Sequence, residues 1–315
     1  MRIIIPPIKS QGIKTKLVPW INALVPEVEG RWIEPFLGTG VVAFNSGFRR
    51  ALLSDINPHI IRFYQAVKDR EITSRRVREY LVDEGAHLEV APEDGYEYFR
   101  AVRDRFNRDQ RSLDFLFLSR AGFNGMMRFN RKGAWNIPFC QKPTRFSRSY
   151  VTKVANQVHD VACLIQPAWE FVVGDFEATI LAATKDDFIY CDPPYIGRYV
   201  DYYSGWKEED EHRLFKLLSD TSARFVLSTW HHNDFRVNPF IDLLWSKFNI
   251  VTRDHFYHSG GKLENRRSVV EALVFNFPAN IQQHNHEVKP KFEQMALLEE
   301  RADYIARQIS QTLSD

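Results

Sequence analysis

Short apolar runs and amphipathic stretches alternate along most of the chain. Runs rich in β-branched and aromatic residues lie at Arg31–Phe36, Arg50–Asp55, Phe171–Asp175, Asp187–Cys191 and Arg224–Thr229. Helical periodicity follows most of them, at Asn57–Lys68, Lys207–Ser219 and Asp234–Trp245. This alternation predicts βαβ units around a parallel sheet, an α/β fold. Two later strand-like runs, Phe248–His258 and Ser268–Phe277, have only the SGGKLENRR stretch between them. They predict a long antiparallel hairpin at one end of the sheet. Beyond Pro278 the chain turns polar (NIQQHNHEVKPK), then helical from Phe292, where Met295, Leu298, Ala302, Ile305 and Ile309 share one face. That face suits docking on its own domain, with self-association through a partner helix as the alternative.

The 315 residues allow about two domains. Basic and acidic residues nearly cancel, 42 against 40, so no global field draws the protein to nucleic acid or membrane. Such a partner must be held by a local patch. Between Arg100 and Lys153 stand 13 Lys/Arg residues and only three acids, Asp104, Asp109 and Asp114. A solvated helical face is the ordinary explanation of a charge run. Here the cations are interleaved with Phe106, Phe123, Phe129, Trp135, Phe139 and Phe146 and with loop-forming Gly and Pro, which points to a nucleic-acid surface. Cys140, Cys163 and Cys191 are widely spaced with no CxxC pair. That pattern argues against a disulfide scaffold or zinc ribbon and for a reducing, cytoplasmic setting. The start MRIIIPPIKS lacks the apolar core of a signal peptide, and no apolar stretch is long enough to span a membrane.

Two kinds of strand end carry chemistry. Ile33-Glu34-Pro35-Phe36-Leu37-Gly38-Thr39-Gly40 ends the first strand and is expected to open a helix. Gly38 and Gly40 let the backbone approach a ligand, although the spacing is not the G-x-G-x-x-G of dinucleotide binding. The second strand ends in Asp55, placed to accept both hydroxyls of a ribose, to cap the following helix, or both. The stronger motif is Asp192-Pro193-Pro194-Tyr195. Successive prolines end the strand and fix the turn. The Asp192 carboxylate and the Pro193 carbonyl then offer two acceptors, and an aromatic ring follows. Two acceptors beside a stacking face suit a flat substrate with an exocyclic amino group, which means a nucleobase. His231-His232 reads as an exposed loop pair, and the scattered histidines form no metal-ligand cluster, so no metal is expected.

With these motifs in place, the sequence resembles the Dam-type adenine-N6 DNA methyltransferases, in which the cofactor motif precedes the catalytic tetrad. Four blocks carry the resemblance from about Ile8 to Phe277: IKSQGIKTKL (8–17), IEPFLGTGVVAFN (33–45), SRAGFNGMMRFNRKGAWNIPF (119–139), and GDF (174–176) followed by DPPY (192–195). It implies a Rossmann-like methyltransferase sheet, mostly parallel, of seven strands with one antiparallel, and an inserted helical target-recognition domain. The catalytic domain would comprise residues 1–69 and 154–279, the insert 70–153, and a polar linker with the C-terminal helix 280–315.

The resemblance also implies roles. The cofactor would be S-adenosylmethionine, with Lys14 at its carboxylate and Ser10 nearby, where the family often has Trp. Phe36, Gly38 and Gly40 would pass beside the methionine part, Asp55 would take the ribose, and Asp175 with Phe176 would meet the adenine ring. Asp192, Pro193, Pro194 and Tyr195 would form the catalytic tetrad, Asp192 also bordering the cofactor. The substrate would be double-stranded DNA. Phe123 and Asn124 match the pair that inserts into the duplex, Arg128 the arginine that reads a guanine, and Met126 and Pro138 positions suited to a thymine methyl. Arg131 and Lys132 would touch phosphate. GATC, or a longer site beginning GA, is the implied target, and a cognate restriction endonuclease is a candidate partner. Two alternatives are adenine-N6 methylation of structured RNA and sequence-specific DNA binding without catalysis. The Phe123–Arg128 block favours duplex DNA, and intact Lys14 and Asp192–Tyr195 favour catalysis.

Overall fold

The central strands β1 (Trp32–Glu34) and β4 (Phe188–Cys191) are buried at every position, so they can only lie inside a covered sheet. The computed structural model describes residues 2–10, 12–196, 205–256 and 268–279. Helix α1 (Val18–Leu24) precedes β1, and β2 (Ala51–Asp55) follows it. Five helices come next: α2 (Pro58–Lys68), α3 (Ser74–Val90), α4 (Tyr96–Asp109), α5 (Ser112–Ala121) and α6 (Arg148–Leu164). The chain then runs through β3 (Trp169–Val173), α7 (Phe176–Leu181), β4, α8 (Glu208–Asp220), β5 (Arg224–Asn233), α9 (Pro239–Leu243), β6 (Asn249–Phe256) and β7 (Ser268–Phe275).

The seven strands form one sheet in the order β3-β2-β1-β4-β5-β7-β6, parallel except for β7, which is antiparallel to both neighbours. The order reverses between β1 and β4. In an open α/β sheet that reversal leaves a crevice outside the carboxyl ends of the strands, where ligands bind. On one face, Trp32 stacks on Tyr190 with centroids 5.7 Å apart. On the other, Ile33, Ile189, Phe225 and Leu227 pack against Leu214, Leu218 and Trp245. At the amino ends of β1 and β4, Asp187 joins the two strands, accepting from Arg31 N at 2.6 Å, Arg31 Nη2 at 3.0 Å and Thr184 N at 2.9 Å.

Several expectations change. The late pair does form an antiparallel hairpin, but β7 inserts between β5 and β6, leaving β6 at the edge. The SGGKLENRR stretch and the C-terminal helix lie outside the described residues. The helix expected over Asp234–Trp245 shrinks to α9, because β5 continues to Asn233 and the Asn238 side chain caps Phe240 N. His231 and His232 therefore sit on β5, half-buried, with their Nδ1 atoms 2.9 Å apart, and are not an exposed loop pair. After Gly40 the chain makes only a single 3-10 turn, Ala43–Asn45, and no α-helix.

The basic island also differs. Phe106, Phe129, Trp135, Phe139 and Phe146 are buried, and Phe123 alone of the six aromatics is exposed, at 48%. They form a core for the helical region: Phe129 stacks on His59 and meets Trp135 edge-on. Arg105 is turned inward, bonded to Asp114 at 2.6 Å and Glu84 at 2.9 Å, tying α3, α4 and α5 together. Helix α6 is continuous from Arg148 to Leu164.

The Asp187 staple gives a stability test. Burial pushes its carboxyl up, but the bonds from Arg31 and Thr184 outweigh burial and hold it at about 2. An unfolded aspartate titrates near 4, so this stabilisation is complete above about pH 4 and is lost as pH falls towards 2. Asp187→Ala should lower stability by about 2–3 kcal/mol at pH 7. Urea unfolding at pH 7 and pH 3 should show the gap between wild type and variant narrowing at the lower pH.

Candidate active site

The turn after β1 is shaped by two glycines with positive φ, Gly38 at 50° and Gly40 at 73°. A Cβ on Gly40 would lie 2.5 Å from the Phe44 ring, whereas a Cβ on Gly38 would meet open space. The Gly38 N–H donates to Asp55 Oδ2 at 2.8 Å, so the end of β2 is fastened to this turn. Asp55 Oδ1 accepts from Asn57 N at 2.8 Å. The helix cap itself is Asn57, which accepts from His59 N, so Asp55 does not take the capping role. Burial raises the Asp55 carboxyl to about 6 against these two backbone bonds.

Phe36, next to this turn, stacks on Phe176 at 5.3 Å, and Trp206 meets Phe36 edge-on at 5.6 Å. Asp175 lies beyond the end of β3 and caps α7 by accepting from Glu177 N. Its carboxylate also holds Arg213 at 2.8 Å, and that guanidinium covers the Phe176 ring at 4.7 Å. Phe36, Phe176 and Trp206 thus form one aromatic cluster, which Asp175 borders through Arg213.

Asp192 directly follows β4, the parallel neighbour of β1. Its side chain keeps 21% exposure, and Lys14, only 4% exposed, reaches it at 3.0 Å. The same ammonium lies 4.6 Å from the centroid of the Tyr195 ring. Burial pushes the Asp192 carboxyl up, Lys14 pulls it down, and Glu271 pushes it up again, leaving it at about 6. The Lys14 ammonium also donates to Gly12 O at 3.3 Å. Pro193 is buried, and Pro194 and Tyr195 are half-buried. Ser10 is half-buried on the segment leading to Lys14.

The other expected residues gather on one loop. Phe123, Asn124, Arg131, Lys132 and Pro138 are exposed, and Met126 and Arg128 half-exposed. Phe123 N donates to Pro138 O at 2.9 Å, and Arg128 Nε to Asn136 Oδ1 at 2.9 Å, so Phe123, Arg128 and Pro138 are held on one folded-back strip. Asn124 has a left-handed backbone, φ 52°, at the apex. Gly125 packs so tightly that a Cβ would lie 2.5 Å from the Lys9 stem, which joins this loop to the segment carrying Ser10 and Lys14.

Sequence reasoning gave no role to Glu34, Ser228 or Glu271, all buried near these residues. Glu34 accepts from Trp32 Nε1 at 2.8 Å, and burial, with Asp192 and Asp55 nearby, holds its carboxyl well above the ordinary range. Glu271 and Ser228 both meet the Tyr195 hydroxyl. The available signal was a single acid inside an apolar strand, WIEPF and VVEALVF, since such residues are rarely buried without a partner.

A doubly wound seven-stranded sheet with one antiparallel strand, and with acidic strand ends facing a glycine turn, defines a methyltransferase fold. Residues 10–259 match the family model of the D12 class N6 adenine-specific DNA methyltransferases. The chain belongs to this family and is an adenine-specific DNA methyltransferase. It is similar to a DNA adenine methylase of Vibrio cholerae serotype O1, 34% identical over 84% of this chain and 94% of the relative. A DNA adenine methylase of Haemophilus influenzae is 35% identical over 60% of this chain and 63% of its own length. A type II methyltransferase of Lactococcus lactis subsp. cremoris is 27% identical over 85% and 94%.

The Lys14–Asp192 contact predicts a measurable titration. An NMR titration of the side-chain carboxyl, assigned against Asp192→Asn, should give a midpoint near 6 for Asp192. Because Lys14 pulls that value down, Lys14→Met should move the midpoint to higher pH. An unmoved midpoint would show that the ion pair does not govern this acid.

Proposed function

We propose that the protein transfers a methyl group from S-adenosylmethionine to N6 of an adenine extruded from double-stranded DNA. GATC, or a longer site beginning GA, is the proposed target. The observation that carries this reading is the Asp192–Tyr195 turn at the carboxyl end of β4, with Lys14 against the acid and beside the ring. The residues around it fit the cofactor. Lys14 would hold its carboxylate by a charge-assisted bond, and a buried Asp55, raised to about 6, calls for hydroxyl donors such as those of a ribose. Asp175 and Phe176 would stand at its adenine and Phe36 beside its methionine part, and the open turn at Gly38 leaves room for the chain between.

The cofactor supplies an electrophilic methyl group on sulfur. This chain's residues must supply the nucleophile's geometry. The amino nitrogen of adenine delocalises its lone pair into the ring and is a poor nucleophile. Acceptance of its two N–H bonds by Asp192 and the Pro193 carbonyl favours a tetrahedral nitrogen whose lone pair points out of the ring plane. Stacking on Tyr195 holds the base still, and alignment of the two bound reactants lowers the barrier further. A carboxylate that titrates near 6 accepts fully only above that pH, so methyl transfer should weaken as pH falls through 6. Phe123 and Asn124 are proposed to insert where the base leaves the stack, with Arg128 reading a guanine and Met126 and Pro138 lying against a thymine methyl.

Asp192→Ala should reduce single-turnover methyl transfer at least about 100-fold while leaving duplex binding, read by anisotropy, little changed. Turnover within tenfold of wild type would reject the assignment. On duplexes varied one base at a time, Arg128→Ala should lose about 1–3 kcal/mol of discrimination at one guanine. Lys132→Ala should instead weaken all sequences alike and flatten the salt dependence. Retention of full guanine discrimination by Arg128→Ala would refute its role.

A further inference from the structure

We propose that Glu271 is a positioning residue of this enzyme: from the middle of β7 it fixes the plane of the Tyr195 ring on which the extruded adenine stacks. The inference rests on the reading of Tyr195 given above. Glu271 lies opposite Trp230 of β5 and Arg253 of β6 in the strand register, and it is fully buried within the apolar run VVEALVF. A carboxylate in such a place is expensive unless it is well bonded. Its Oε2 accepts from the Tyr195 hydroxyl at 2.5 Å. Ser228 Oγ, fully buried on β5, lies 3.3 Å from the same hydroxyl. The phenol is thus anchored at its far end by two strands of the sheet, β5 and β7. Lys14 lies against the ring itself, 4.6 Å from its centroid.

A tyrosine turns about two side-chain torsions, and a stacked base needs one ring plane. Pro193 and Pro194 fix the backbone that carries the side chain, but they do not fix those torsions. Glu271 does so from the opposite end of the ring. The antiparallel strand β7 gains a function here, because its insertion between β5 and β6 brings position 271 beside β5 and under the tetrad. A sheet ending at β5 would offer Ser228 but no carboxylate.

The test is single-turnover methyl transfer at saturating cofactor and duplex, with Glu271→Leu, Glu271→Gln, Tyr195→Phe and Tyr195→Ala. Misplacing a positioned group costs up to about 100-fold, so Glu271→Leu and Tyr195→Phe should each slow the step at least about tenfold. The two changes break one bond, so the double variant should be no slower than the slower single variant. Glu271→Gln keeps an acceptor oxygen and should recover the rate to within about threefold of wild type. Tyr195→Phe keeps the ring and every contact of Glu271 except one, so the proposal stays testable should Glu271→Leu fail to fold. A wild-type rate in Tyr195→Phe, multiplicative losses in the double variant, or a Glu271→Gln as slow as Glu271→Leu would overturn the positioning role. If Tyr195→Ala is inactive while Glu271→Leu is fast, positioning alone fails. An active Tyr195→Ala overturns the stacking reading itself.

Discussion

Asp192 is a carboxylate placed where a buried parallel strand ends, and desolvation there opposes its charge. Lys14, itself almost fully buried, offsets that cost from 3.0 Å, and much of the architecture serves to bring these two residues together. β4 sits beside β1 at the point where the strand order reverses, so its carboxyl end opens into the crevice. The segment before α1 carries Lys14 to meet it. Burial raises both carboxyls at these strand ends, Asp55 and Asp192, to about 6.

The segment that delivers Lys14 is not independent of the helical region. Arg120, buried at the end of α5, donates to the carbonyls of Pro7 at 2.6 Å and Pro6 at 3.4 Å and to Gln157 Oε1 at 2.6 Å. Gly125 packs on the stem of Lys9. The loop bearing Phe123, Arg128 and Pro138 is therefore mechanically continuous with the strap bearing Ser10 and Lys14.

Much of this was legible in the sequence because parallel-strand proteins write their sites at strand ends. Asp55, the Gly38–Gly40 turn and Asp192–Tyr195 each stand where an apolar run stops, and the structure puts them around one crevice. Strand order was not legible, since periodicity gives β7 as a strand without saying that it inserts between β5 and β6. The loop aromatics misled for a physical reason. A helical region of this size needs its own core, and Phe129 and Trp135 join it from segments that look like loops, packing on Phe106 of α4. Glu271 and Glu34 were visible as lone acids in apolar strands, but only the fold shows which hydroxyl or indole each one holds.

The proposed methylation of adenine N6 in DNA depends on Asp192. It is tested most directly by expressing the protein in a host without adenine methylation and sequencing the genomic DNA for modified bases. N6-methyladenine should appear in one sequence context, with a guanine immediately 5′ of the modified base, and should be absent when Asp192→Ala is expressed. Genomic DNA without N6-methyladenine, or modified adenine found only in RNA, would contradict it.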